Sequence, residues 1–203
     1  MTVFKEMPAS ERSLYMRKLV HGVGNNDAQY TVRRVVDGKQ VLCPYYRRWF
    51  NMLTRCYDIK QLARQPTYIG CTVCDEWLTF SNFKNWMVRQ GWEGKELDKD
   101  ILVQGNKVYS PATCIFVSHS INNLLASKEG NRGSYPQGVS FNKLSGKFVA
   151  QCSVDGKNKG LGYYKTIEAA QTAYRDFKYK VIRKLALEQQ EPLRGAMLSL
   201  KVI

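Results

Sequence analysis

Between Tyr45 and Cys56 apolar residues recur with helical period: Tyr46, Trp49 or Phe50, Leu53 and Cys56 share one stripe, with Arg47, Arg48 and Arg55 off it. The pattern predicts an amphipathic helix with a basic flank. A second helix is predicted from Ser81 to Arg89, opened by Ser81 as N-cap and burying Phe83, Trp86 and Met87 against the first. Upstream, Ser10 to Leu19 predicts a short helix that Gly22 to Asp27 breaks with turn residues. Val32 to Val36 and Gln40 to Leu42 flank Asp37-Gly38 as the arms of a hairpin.

Glu96 to Val103 reads as a strand, Gln104 to Ala112 as a loop, Thr113 to Val117 as a second strand and His119 to Ala126 as a helix, which is a ββα order. Lys128 to Gln137 is rich in breakers and lacks apolar periodicity, so it reads as a linker. Beyond it, Gly138 to Phe141, Lys147 to Val154 and Lys159 to Tyr164 alternate like strands around Ser145-Gly146 and Asp155-Gly156, predicting an antiparallel meander. Thr166 then caps a long helix whose apolar positions are Ile167, Ala170, Ala173, Tyr174, Phe177, Val181 and Leu185. The expected fold class is α+β: a helical and ββα module over 1–127, a linker over 128–137, a three-stranded sheet packed on one helix over 138–190, and a tail over 191–203 with no readable function.

Charge narrows the partners. The 203 residues include 31 basic and 17 acidic side chains, a formal net charge of +14, with 17 basic and 11 acidic through Leu125 and 14 and 6 beyond it. The excess is spread along the chain and attracts a polyanion. A membrane partner is not expected, because no basic helix has a clean apolar face and no stretch approaches the length of a span. Met1 to Pro8 lacks the apolar run of a secretory signal, so a cytoplasmic setting is expected, in which Cys43, Cys56, Cys71, Cys74, Cys114 and Cys152 stay reduced.

A basic antiparallel sheet backed by one helix leaves one face free, and such a face has the width to enter a major groove. Gly138-Val139-Ser140-Phe141, Gly146-Lys147-Phe148-Val149-Ala150, Leu161-Gly162-Tyr163-Tyr164-Lys165-Thr166-Ile167-Glu168-Ala169-Ala170 and Ala173-Tyr174 together resemble the apetala-type, plant ethylene-response-factor-like DNA-binding domain, over about a quarter of the chain. The resemblance implies contacts to double-stranded DNA from Ser140, Asn142, Val149, Gln151, Ser153 and Asn158. The plant domains carry mostly arginines and tryptophans there; this chain offers small or amide groups. Gln151 retains bidentate reading of adenine, while Lys143, Lys147, Lys157 and Lys159 supply phosphate contacts, with Arg47 and Arg48 adding to them from the first module. Strongly salt-dependent binding of modest specificity follows.

Cys43-Pro44-Tyr45-Tyr46, Trp49 to Leu53, Arg55-Cys56-Tyr57, Val73 to Trp77, Leu97-Asp98-Lys99-Asp100-Ile101, Gly105-Asn106 and Tyr109 to Cys114 are similar to phage HNH-type homing endonucleases, which often carry an apetala-type domain at the same end. The resemblance covers Gly22 to Leu125. It implies a divalent cation, magnesium or manganese, to stabilise the leaving oxygen of a phosphodiester, and a base to activate water. Residue by residue, Asp98 takes the family's Asp position and Asn122 or Asn123 the helical metal position. The base position holds Lys99 and the orienting position Thr113, and a lysine at its ordinary pKa of ~10.4 is protonated. A second register pairs Asp98 with Asp100 on one strand face, adding an Asn as oxygen ligand. His119, at the start of the same helix, is a further candidate base. Cys71-Thr72-Val73-Cys74 has the spacing of half a zinc knuckle, and Cys43, Cys56 and Cys114 are further candidate ligands; without a second close pair, free thiols are favoured over structural zinc. Two functions stay open: a metal-dependent DNA endonuclease of a phage or mobile element in a bacterial host cell, and a non-cleaving DNA-binding regulator or defence factor.

Overall fold

A computed structural model describes residues 4–126 and 134–200. The chain divides into two compact units, Met1–Phe116 and Val117–Ile203. The division falls ahead of the expected linker, of which Lys128 to Gly133 lie outside the described residues. The architecture is mixed α+β, with a three-stranded antiparallel sheet packed on a long helix in the second unit.

The first unit opens with helix α1 (Glu11–Tyr15), capped by the Ser10 hydroxyl. It stops short of the expected Leu19 because the chain turns at Arg17, whose guanidinium donates to the carbonyls of Asn26, Ala28 and Tyr30. Strands β1 (Arg33–Val36) and β2 (Lys39–Leu42) pair as the expected hairpin. Helix α2 (Pro44–Tyr57) buries Tyr46, Trp49, Met52, Leu53 and Cys56 on one face, as its periodicity requires. Helix α3 (Ile59–Arg64) follows directly, capped by Asp58, whose Oδ1 accepts from Gln61 N at 2.7 Å.

Strand β3 (Thr72–Val73) pairs in parallel with β5 (Val108–Tyr109). Between them lie α4 (Asp75–Leu78), α5 (Phe80–Met87) and strand β4 (Lys95–Asp98). Helix α5 begins one residue earlier than expected: Thr79 is its N-cap, and the N–H of Ser81 is satisfied by the Asp27 carboxylate at 2.9 Å, from far upstream in sequence. The core between α2, α4 and α5 is aromatic, with Trp49, Trp77, Phe80 and Phe83 almost fully buried and the Trp49 indole N–H donating to the Trp77 carbonyl at 2.6 Å.

Strand β6 (Ile115–Ser118) runs into helix α6 (His119–Leu125), capped by the Ser118 hydroxyl. Strands β7 (Val139–Asn142), β8 (Lys147–Val154) and β9 (Lys157–Tyr164) form the meander in the order β7-β8-β9. Helix α7 (Ile167–Leu187), capped by Thr166, packs against all three strands. Its innermost residues are Ala170, Tyr174, Lys178, Ile182 and Ala186, a strict four-residue spacing, while Ala173, Phe177, Val181 and Leu185 flank them half-buried. Ala170 and Ala150 are fully buried where helix and sheet meet. The expected tail forms helix α8 (Leu193–Ser199), which packs on α7 through buried Leu193 and Met197.

Candidate nucleic-acid interface

Register decides which side chains of the meander look away from α7. Val139 lies opposite Ala150, which lies opposite Gly162, and Val139 and Ala150 are buried. The adjacent row, Ser140 opposite Val149 opposite Tyr163, therefore points outward, because alternate residues of a strand face opposite sides. Asn142, Lys147, Gln151 and Ser153 share that outward parity.

The ladder between β8 and β9 then slips. Ala150 pairs with Gly162 but Gln151 pairs with Gly160, leaving Leu161 as an extra residue. Such a bulge reverses the facing of everything beyond it. Gly162 at its edge has φ 135°, a conformation that glycine alone adopts without strain. Asn158, opposite Ser153, thus joins the outer face, whereas Lys159, opposite buried Cys152, turns to the helix side, its ammonium 4.9 Å from the Phe177 ring centre. Lys157 shares the helix-side parity at the hairpin end, and Lys143 sits exposed in the β7–β8 turn.

Of the expected contact residues, Ser140, Asn142, Lys147, Val149, Gln151, Ser153 and Asn158 therefore lie on one outward surface. Lys157 and Lys159, expected as phosphate contacts, have helix-side parity instead. Tyr163 is the residue that sequence reasoning missed: it is 60% exposed and lies on the same surface, on the edge strand β9. From Gly138 to Lys165 there are five lysines and one acid, Asp155. In the first unit Arg47 is exposed, whereas Arg48 is half-buried and donates to the Lys95 carbonyl at 2.6 Å.

Four of the expected nuclease residues, Asp98, Lys99, Asp100 and Thr113, make hydrogen bonds within the 98–114 segment. Strand β4 ends at Asp98 rather than Val103 because Asp98 Oδ1 accepts the backbone N–H groups of Asp100 and Ile101, at 2.7 and 2.8 Å, and turns the chain. Asp98 and Asp100 accordingly do not alternate along one strand. Lys99 is 5% exposed and its ammonium donates to both Asp100 oxygens, at 2.7 and 2.8 Å, and to the Asn106 carbonyl at 2.8 Å. The Asn106 amide reciprocates on the Lys99 carbonyl at 2.9 Å. Burial pulls the Lys99 pKa down, but the hydrogen bonds and charge of Asp100 outweigh it and the net shift is upward. Lys99 is therefore an ammonium and no base. Burial pushes the Asp98 carboxyl upward, against the two N–H groups it accepts.

In this arrangement both Asp100 oxygens pair with the Lys99 ammonium and Asp98 Oδ1 with two backbone N–H groups. Thr113 donates to the Val108 carbonyl at 2.7 Å and closes the 110–114 turn. Among the described residues no three His, Cys, Asp or Glu side chains gather as a metal-binding group.

His119, Asn122 and Asn123 belong to the second unit. There the Asn123 amide lies 2.6 Å from His119 Nε2, and both residues border an open cavity of about 580 Å³ shared with Ser153, Asp155 and Gly156 of the β8–β9 hairpin. The six cysteines are free, and burial pushes the thiols of Cys56 and Cys114 up to about 12. No described helix is long and apolar enough to cross a membrane.

Comparison with family models, with curated proteins and with solved structures returned no match to this chain.

Proposed function

We propose that the chain is a double-stranded DNA-binding protein whose β7–β9 sheet lies in a major groove, and that it binds without cutting. The observation that carries this reading is the outward surface of that sheet. In register it presents amide, hydroxyl and ammonium groups, backed by a helix on the other side and set in a segment with five lysines and one acid. An antiparallel face of this composition matches the donor and acceptor edges of base pairs, with lysines at its margin for phosphate. Gln151 is the adenine reader; Lys143 and Lys147 position the sheet on the backbone.

The non-cleaving form of the reading is favoured over the endonuclease by one observation, the Lys99 ammonium seated on Asp100. The test is fluorescence anisotropy with a labelled duplex across a salt series. Affinity is expected to fall steeply with salt, and Lys147→Ala to reduce the slope of log affinity against log salt by about 1. Absence of binding at low ionic strength would remove the reading. Supercoiled plasmid with magnesium or manganese should stay intact; nicking that disappears in Asp98→Ala would restore the endonuclease.

A further inference from the structure

The outward surface carries an apolar pair, and that is unexpected on a face otherwise built of polar groups. Val149 on the central strand β8 and Tyr163 on the edge strand β9 sit directly opposite one another, with Ser140 completing the row. Tyr163 is 60% exposed, Val149 is half-buried, and neither belongs to the buried core against α7. Along β8 the pair is bracketed on the same face by Lys147 and Gln151. Opposite Gln151 stands Gly160, where an added Cβ would meet nothing within 4 Å among the described residues, so the floor beside the amide is open to a close approach.

A major groove offers a protein one apolar group, the 5-methyl of thymine; every other feature of the base-pair edges there is a hydrogen-bond donor or acceptor. We infer, on the reading that this sheet docks on duplex DNA, that Val149 and Tyr163 together form a socket for a pyrimidine 5-methyl group, making them specificity-determining residues. Val149 supplies two branched methyls and Tyr163 a flat ring, and the lysine and amide on either side hold the backbone and a second base. Gln151, two residues further along β8, is displaced by about 6.6–6.8 Å, which is about two base steps at 3.4 Å each. The surface therefore reads a thymine and an adenine about two steps apart rather than an unbroken run.

The test removes the methyl from the DNA rather than from the protein. The full chain is used to select from a duplex library with a random core, and the winning duplex is remade with uracil in place of thymine at each enriched position. Thymine enrichment is expected. Uracil at one such position should weaken binding by about three- to fivefold, the effect of exposing one methyl-sized group. Val149→Ala should bind the thymine and uracil duplexes equally. Equal affinity of the unaltered chain for both duplexes, or selection without a thymine position, overturns the socket while leaving DNA binding intact. A Val149→Ala chain that still prefers thymine overturns the assignment to Val149. Failure to retain any duplex at low salt overturns the DNA-binding reading itself, and the socket with it.

Discussion

Gly138→Ala probes how the proposed binding surface is held. Gly138 has φ +76°, and a Cβ built there would stand 2.1, 2.3 and 2.7 Å from three ring atoms of Tyr174, which is 5% exposed in the face of α7 against the sheet. Its carbonyl also accepts from Gln151 N at 2.8 Å, tying the entry of β7 to the strand that carries the adenine reader. A non-glycine residue in this backbone region costs about 1–2 kcal/mol, and forcing a methyl into a packed ring costs about 1–3 kcal/mol more.

Gly146 is the control, because its φ is +64° but a Cβ there meets nothing within 4 Å, so Gly146→Ala carries only the first cost. For a unit of this size each kcal/mol moves Tm by about 4–8 °C. Gly138→Ala should therefore lower the transition of the second unit by about 8–40 °C and Gly146→Ala by about 4–16 °C. Far-UV circular dichroism follows this transition. All four tryptophans, Trp49, Trp77, Trp86 and Trp92, lie in the first unit, so indole emission reports that unit separately. In a Tyr174→Ala background the added cost of Gly138→Ala should shrink to that of Gly146→Ala, since neighbouring sites are not additive. Equal losses for the two glycine variants would refute the steric argument.

Two further outcomes are expected. Trp49→Phe should destabilise more than Trp77→Phe, by about 1–3 kcal/mol in urea titrations beyond any difference in volume, because it strips the buried Trp77 carbonyl of its donor; the Trp77 indole N–H, in contrast, is buried with no partner among the described residues. The Cys56 and Cys114 thiols, raised by burial from 9.0 to about 12, hold their protons more tightly folded than unfolded. Their contribution to stability is thus complete below pH 9 and lost as pH climbs toward 12. Replacing both by alanine should flatten that alkaline limb in pH-dependent denaturation, and an unchanged limb would contradict the assignment.

Much of the fold is legible in the sequence where one period governs a whole element. The stripe of α2, the meander and the Thr166 cap all behave as local pattern dictates. The misreadings come where a distant group intervenes. Ser81 has the chemistry of a cap, yet its own N–H is served by Asp27, 54 positions away. Glu96 to Val103 alternates like a strand, but the Asp98 carboxylate bends the chain after four residues. Lys178 is charged, and only the tertiary packing of α7 places it in the innermost row, 7% exposed, its ammonium 5.7 Å from the Tyr174 ring centre. The outward face suffered most from a register slip that alternation cannot reveal: by parity alone Lys159 and Tyr163 share a side, and Leu161 as an unpaired residue keeps Tyr163 outward while sending Lys159 inward.

That slip also partitions the surface for evolution. A one-residue insertion or deletion in β9 before Gly160 would invert only the hairpin end, exchanging Asn158 for a neighbouring lysine, and would leave the Ser140–Val149–Tyr163 row undisturbed. The recognition face thus behaves as two cassettes, one free to drift and one anchored to the helix beneath it.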